Sequence, residues 1–294
     1  MSSKKKKKSK RWPFILLFIF GFLVMVYPII SNFYYRIEAN SEIADFNKGV
    51  SRMDRDEIFK RIELARAYNS TLDPSKMSDP YTDEQKEGIA EYARMLEVHE
   101  KMGHIEIPKI NEDLPIYAGT SEEVLQKGAG HLEGSSLPIG GKSTHTVITA
   151  HRGLPKAKLF RNLNKLKEGD IFYIHNIETV LCYKVDKIQV IEPSNFEPVL
   201  VVEGKDYATL LTCTPYMINS HRLLVRGERI PYVAPVEEDN LNILGLDMSY
   251  KDYLMFMIPT ALVLGALAIY NGKEMKKAKK RFEAYEKERE KDEE

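Results

Sequence analysis

Cys213 is one of two cysteines in the chain, and it closes the run Ala208-Thr-Leu-Leu-Thr-Cys213, after which Thr214-Pro215 opens a loop. A thiol at a strand terminus can be presented to a groove. Nucleophilic chemistry needs the thiolate, and a free cysteine of pKa about 8.5 is mostly protonated at neutral pH, so a base or a cation has to stand beside it. Two residues suit that task. His151 follows the run Val147-Ile-Thr-Ala150 and precedes Arg-Gly-Leu-Pro155, so it also sits where a strand gives way to a loop. Arg222 follows the cysteine by nine residues, at the start of the next strand pattern. Period-two alternation puts Arg222, Leu224 and Arg226 on one face and His221, Leu223 and Val225 on the other. His221 and Arg222 therefore cannot line the same groove, while Arg226 remains a rival to Arg222. By type and spacing alone, the cysteine also fits core packing, the histidine a structural role and the arginine a surface charge.

The elements that must position these residues are short. From Gly103 onward the chain turns to β-rich runs: 104–107, 114–117, 144–150, 171–174, 179–191, 207–212 and 222–225, separated by Gly, Pro, Asn and Asp. Such spacing indicates a sandwich or a closed barrel. Upstream, residues 41–68 carry Ile43, Phe46, Val50, Ile58, Ile62 and Ala65 at helical spacing, and residues 83–98 resume it after a loop, 69–82, containing two Asp-Pro steps. The expected architecture is mainly β, a closed barrel over residues 103–232 beneath a helical cap over 36–102.

Composition narrows the function classes. The chain has 294 residues, 43% of them hydrophobic, with 43 Lys+Arg against 43 Asp+Glu, which excludes a disordered polymer and argues against a nucleic-acid binder. The charge is uneven, with seven basic and no acidic residues in positions 1–35, which leaves the middle mildly acidic. No residue is charged from Trp12 to Tyr35 or from Tyr253 to Gly272, and a basic cluster precedes the first run and follows the second. Those lengths match transmembrane helices, and positive flanks lie on the cytoplasmic side. The sequence thus predicts a two-span protein of the cell membrane with residues 1–11 and 273–294 cytoplasmic, residues 36–252 extracytoplasmic, and 233–252 as a linker.

Thr209-Leu-Leu-Thr-Cys213 with Arg222 downstream, and Thr146-Val-Ile-Thr-Ala-His151-Arg-Gly upstream, resemble the two signatures of the sortases, cysteine transpeptidases of Gram-positive cell surfaces. The similarity covers about residues 103–232, including the run Gly130-His-Leu-Glu-Gly-Ser-Ser-Leu-Pro-Ile-Gly-Gly141. Cys213-Thr-Pro-Tyr216, followed by His221-Arg-Leu-Leu-Val-Arg-Gly227, and a second uncharged run after the barrel are similar to class C, the pilin polymerases. The resemblance implies a sortase-type barrel with Cys213 as nucleophile, His151 as general acid and base, and Arg222 as the group that binds substrate and stabilises the oxyanion. It implies cleavage of an LPXTG-like sorting signal between Thr and Gly, and transfer of the acyl group to a lysine of the next pilin subunit. Pilin subunits and the lipid bilayer are the partners it implies, and the chemistry requires no cofactor or metal. It further implies a lid formed by Asp79, Pro80 and Tyr81, with Tyr81 where the family more often has Trp or Phe. A class A-like sortase joining proteins to the cell wall, and a non-catalytic tethered barrel that binds surface proteins, remain the alternatives.

The remaining candidates are weaker. Cys182 has no histidine at ligand spacing and reads as packing, although a bridge to Cys213 would suit an extracytoplasmic domain and consume the nucleophile. Histidines 99, 104, 131, 145, 175 and 221 form no zinc spacing. Gly141-Lys-Ser143 lacks the upstream glycine of a phosphate loop, since position 136 is Ser.

Overall fold

Alternating side chains, aliphatic in one direction and mixed in the other, make the strands of a closed wall. In the computed structural model, which describes residues 12–72, 94–235, 272–277, 279–280 and 282–284, eight strands follow one another. They are β1 (Lys101–Ile107), β2 (Glu112–Ala118), β3 (Ala129–His131), β4 (Thr144–Thr149), β5 (Ile171–His175), β6 (Val180–Ile191), β7 (Asp206–Thr214) and β8 (His221–Ile230). They close in the order β1-β2-β3-β4-β7-β8-β6-β5. The pairs β2/β3 and β4/β7 are parallel and the others antiparallel. Closure leaves no strand edge to pair with another chain.

The barrel interior is filled by every second residue. Ile148 of β4, Ala208 and Leu210 of β7, Leu223 and Val225 of β8, and Leu181 and Tyr183 of β6 belong to one buried cluster. Burial of each aliphatic side chain contributes roughly 1.5–3 kcal/mol. The intervening residues of β4, β7 and β8 therefore point to the outer wall. There Val147, Leu211 and Leu224 form a second, smaller cluster with Leu132 and Val199, and Ile191, Phe196 and Leu200 pack against it. This outer layer is the floor on which the candidate site stands.

Among the described residues three α-helices accompany the barrel: α1 (Trp12–Val50), α2 (Arg55–Ser70) and α3 (Glu122–Lys127). Tyr35, Ala39, Ile43 and Phe46 of α1 are buried, and Phe46 meets the ring of His104 on β1 edge to face. The buried Lys101 ammonium reaches Glu42 at 2.6 Å and Asp45 at 2.9 Å, so a cation taken from water is paired on the same helix face. The sequence predicts one helix through 41–68. Instead α1 ends at Val50 and α2 starts after Asp54, whose extended backbone (φ −71°, ψ 147°) cannot continue a helix. Both helices bury residues in the same core, so their apolar spacing runs on across the break and hides it. Gly49 marks the close approach there, since a Cβ would lie 2.4 Å from Val98 Cγ1.

Other expectations are also revised. Of the helix expected over 83–98, residues 83–93 lie outside the described residues, and Arg94–Leu96 form a turn before Val98 bridges Lys101. The short β3 and α3 have no counterpart in the strand pattern, being too brief for periodicity to register. Among the described residues no helix is long and apolar enough to cross a membrane. The two-span membrane location is therefore not supported, and the flanking pair of transmembrane helices is not shown. The uncharged run 12–35 is the first part of α1, which continues without a break into the charged, barrel-packed half from Arg36 to Val50. The run 253–272 lies outside the described residues except for Gly272. Residues 239–294 form a separate unit whose described backbone is helical.

Candidate active site

Strand register brings the three sequence candidates into one row. Cys213 of β7 and Arg222 of β8 are direct antiparallel partners, so their side chains leave the same face of the sheet as neighbours. On the other side β4 runs parallel to β7, with Val147 opposite Thr209 and Thr149 opposite Leu211. Carried two residues past the last pair of β4 and β7, the same register would set His151 beside Cys213. All three lie on the outer wall, at the end of the floor made by Val147, Leu211 and Leu224. His151 keeps 20% of its side-chain surface in solvent, while Cys213 and Arg222 are nearly covered.

Backbone and side chains together join β4 to β7 beside this row. The Ala150 N–H donates to Leu211 O at 3.2 Å, and the Thr212 hydroxyl donates to Ala150 O at 2.8 Å. The Arg152 guanidinium donates through Nη1 to Cys213 O at 3.2 Å and to the Thr214 hydroxyl oxygen. Arg222 is held from its own turn, Nη1 donating to Asn219 O at 2.9 Å and His221 O at 3.1 Å. Asn219 has the left-handed φ of 59°, a conformation its short polar side chain tolerates, and its own N–H donates to Pro215 O. That turn aims the Asn219 carbonyl back at Arg222. Glu122, in the first turn of α3, places Oε2 at 3.4 Å from His151 Nε2.

Arg152, Asn219 and Glu122 were missed in the sequence. Arg152 adjoins the histidine and Asn219 sits in a turn, which are signals available in principle. Glu122 is 29 positions before His151 and had none. Arg226, the rival to Arg222, is opposite Thr209, four residues or about 14 Å along the strand from the row. It forms a bidentate pair with Asp186, 3.1 Å from Nε to Oδ1 and 2.6 Å from Nη2 to Oδ2, and lies over the Tyr207 ring. His221 is opposite Thr214 and faces away from the row. Asp79, Pro80 and Tyr81 lie outside the described residues.

Neither cysteine forms a disulfide and both are buried, so burial does not tell them apart. Position does. Cys182 is opposite Ile230 of β8 and Cys213 opposite Arg222, eight residues or about 27 Å apart along that strand. A disulfide needs Cα atoms within about 7 Å, so the fold excludes the bridge. Cys182 adjoins Tyr173, whose hydroxyl donates to Val233 O, placing it under the segment that leaves the barrel.

Two buried histidines hold the floor in place as neutral rings. His145 donates from Nδ1 to Leu200 O at 2.9 Å and accepts the Thr209 hydroxyl at Nε2 at 2.7 Å, which ties β4 to β7 and to the loop after β6. His131 donates from Nε2 to Ser136 O at 2.8 Å. Burial pushes both down to about 4. Above about pH 6.5 neither state binds the proton and they add no pH dependence. Below it the unfolded chain takes up protons that the folded rings refuse, so stability falls until about pH 4, by up to about 3 kcal/mol per ring. Urea titrations should therefore give a slope of stability against pH between 6.5 and 4 that His145→Gln reduces by about 1.4 kcal/mol per pH unit. An unchanged slope in that variant would show that the ring titrates in the folded state.

The sortase-domain family model matches residues 105–230, the barrel with the whole row. The chain is 63% identical to the crystal structure of sortase C-1 from Streptococcus pneumoniae, covering 66% of this chain and 100% of that one at a TM-score of 0.64. It is 61% identical to the pilus-related sortase C of Group B Streptococcus, over 64% of this chain and 97% of that one, with a TM-score of 0.63. Among curated proteins, sortase A of Bacillus anthracis is 28% identical over 74% of this chain and 92% of its own length. A barrel that carries a cysteine, a histidine and an arginine at the ends of neighbouring strands, and relatives this similar over 92–100% of their own length, make the chain a member of the sortase family of cysteine transpeptidases.

Proposed function

We propose that the chain polymerises pilin subunits by acyl transfer through Cys213. The observation that carries this reading is the register that pairs Cys213 with Arg222 and runs from β4 towards His151 on the other side. Cys213 Sγ attacks the threonine carbonyl of an LPXTG-like sorting signal. The Thr–Gly bond breaks, His151 gives a proton to the leaving glycine amine, and a thioester joins the substrate to Cys213. Arg222 binds the substrate and donates to the oxyanion of the tetrahedral intermediate. The ε-amine of a lysine on the next subunit, relieved of its proton by His151, then attacks the thioester, forming an isopeptide bond and returning the thiol. Structural relatives that include a pilus-related sortase C, at 61–63% identity against 28% for the sortase A relative, favour a pilin acceptor over a cell-wall amine.

The test is intact mass after mixing the full chain with an LPXTG-type peptide, then with a pilin bearing a free acceptor lysine. An acyl adduct on Cys213 that is discharged onto the lysine supports the reading. An adduct discharged only onto a cell-wall-type amine replaces the acceptor, and no adduct on folded protein removes the reaction.

The lid role of Asp79, Pro80 and Tyr81 rests on their motif. Asp79→Ala combined with Tyr81→Ala should speed labelling of Cys213 by a thiol reagent at least several-fold. Unchanged labelling kinetics would remove the lid.

A further inference from the structure

The geometry points to Glu122 as a positioning residue for His151: its carboxylate, held at one oxygen by Gln126, presents the other to His151 Nε2 and balances the charge the ring gains with a proton. This rests on the reading of His151 as the general acid and base. Glu122 Oε2 lies 3.4 Å from His151 Nε2. Gln126 Nε2, one turn along α3, donates to Glu122 Oε1 at 2.6 Å. A glutamate side chain on a helix surface swings freely, but a partner four residues on fixes one oxygen and with it the place of the other. At 3.4 Å the contact with His151 is longer than an N–H···O hydrogen bond of about 2.7–3.2 Å. What it supplies is a negative charge within reach, and contacts of this kind tighten as the reaction proceeds.

The helix that carries Glu122 is itself fixed on the barrel beside β4. The Ser121 hydroxyl caps it by accepting from the Val124 N–H, Leu125 is buried, and Tyr35 of α1 donates its hydroxyl to Lys127 O at 2.9 Å. After Gly128 the chain passes straight into β3, where Gly130 and His131 pair with Thr149 and Ile148 of β4, the strand that leads to His151. A Cβ at Gly130 would lie 2.3 Å from Gly119 O and 3.1 Å from Val124 Cγ1, so α3 rests on β3 with no room for a side chain between them. The spacing of Glu122 and His151 is thus set by packed elements. Glu123, the next acid on α3, is instead paired with Lys127 at 2.8 Å. Half of the Glu122 side chain and a fifth of His151 are exposed, so solvent weakens the interaction and its effect on rate is moderate.

The test compares the full-length parent with Glu122→Gln, Glu122→Asp, Gln126→Ala and Glu123→Gln. It measures the acyl adduct on Cys213 by intact mass, kcat and KM for the LPXTG-type peptide across pH, and the melting temperature. Glu122→Gln should lower kcat about 5- to 30-fold with KM within about twofold, and the alkaline limb of its kcat profile should move to lower pH, since a carboxylate no longer favours the protonated ring. Glu122→Asp, which keeps the charge on a shorter arm, should restore the limb more fully than kcat. Gln126→Ala should act in the same direction as Glu122→Gln but by less, about 2- to 5-fold, and Glu123→Gln should match the parent. A parent-like kcat and limb in Glu122→Gln would overturn the inference. So would a loss that follows the melting temperature with the limb unmoved, which describes a merely structural residue, or an equal shift in Glu123→Gln, which describes any nearby surface charge. A parent that forms no adduct would instead remove the reaction itself, and the positioning role with it.

Discussion

Cys213→Ala should end acyl-adduct formation altogether, and Cys182→Ala should leave it intact. The two residues are both buried cysteines, so each is the control for the other. Cys213 stands at a strand end, opposite Arg222, on the outer wall, and losing its sulfur removes the nucleophile of the proposed reaction. Cys182 lies in the middle of the β5/β6/β8 sheet, opposite Tyr173 and Ile230, and losing its sulfur removes packing, at a cost of about 1 kcal/mol. Turnover and stability should therefore separate cleanly between the variants. His151→Ala completes the series, with kcat lower by about 10²- to 10⁴-fold and folding retained, because a general acid and base contributes on that scale. Intact mass, steady-state turnover and urea unfolding on the three variants check the pattern. Residual turnover in Cys213→Ala would mean that another group carries the acyl chain.

Arg222→Ala should lower kcat/KM by about 10²- to 10³-fold, while Arg226→Ala should change it by less than about threefold. The arginines share a sheet face but differ in surroundings. Arg222 is the direct partner of Cys213 and is gripped by Asn219 O and His221 O, so its guanidinium is fixed before substrate arrives. Such a fixed donor stabilises charge that develops in the transition state without reorganising. Arg226 is opposite Thr209, bound bidentately to Asp186 and stacked over Tyr207. Its loss leaves Asp186 without that partner, and the effect should appear in stability, at about 1–3 kcal/mol. Arg222→Lys should stay impaired, since an ammonium cannot reproduce the planar fork. Peptide kinetics and urea unfolding on the same preparations decide the matter. A reversed pattern, with Arg226→Ala catalytically dead, would move the oxyanion site along the strand.

The helices and strands were legible in uneven measure. Long alternating runs such as those of β6 and β7 carry their own signal, because a wall with core on one side imposes period two. The three-residue β3 and the six-residue α3 are too short to show a period, and they exist because neighbouring strands leave a place for them. The break between α1 and α2 was hidden by an apolar stripe that serves one core on both sides of it. Hydropathy of the run 12–35 predicted a membrane span, yet the run belongs to a longer helix whose charged half packs on the barrel, and no described helix has the length and apolarity to cross a membrane.

By itself the sequence determined which residue types could react and which neighbours share a face. Cys213 and His151 each end a strand pattern at a loop, and alternation excludes His221 from the face that Arg222 occupies. Those are local properties of the chain, set by a two-residue repeat and by loop-forming residues. Only the tertiary structure shows that Arg222 and not Arg226 is the strand partner of Cys213, that Cys182 lies far along the sheet from it, and which side chains hold that row together. Each of these depends on register between strands far apart in the chain, and a slip of one residue exchanges the faces of an entire strand. The contacts of Arg152 with Cys213 and Thr214, and of Glu122 with His151, likewise appear only when β4, α3 and β7 are brought together by closure of the barrel.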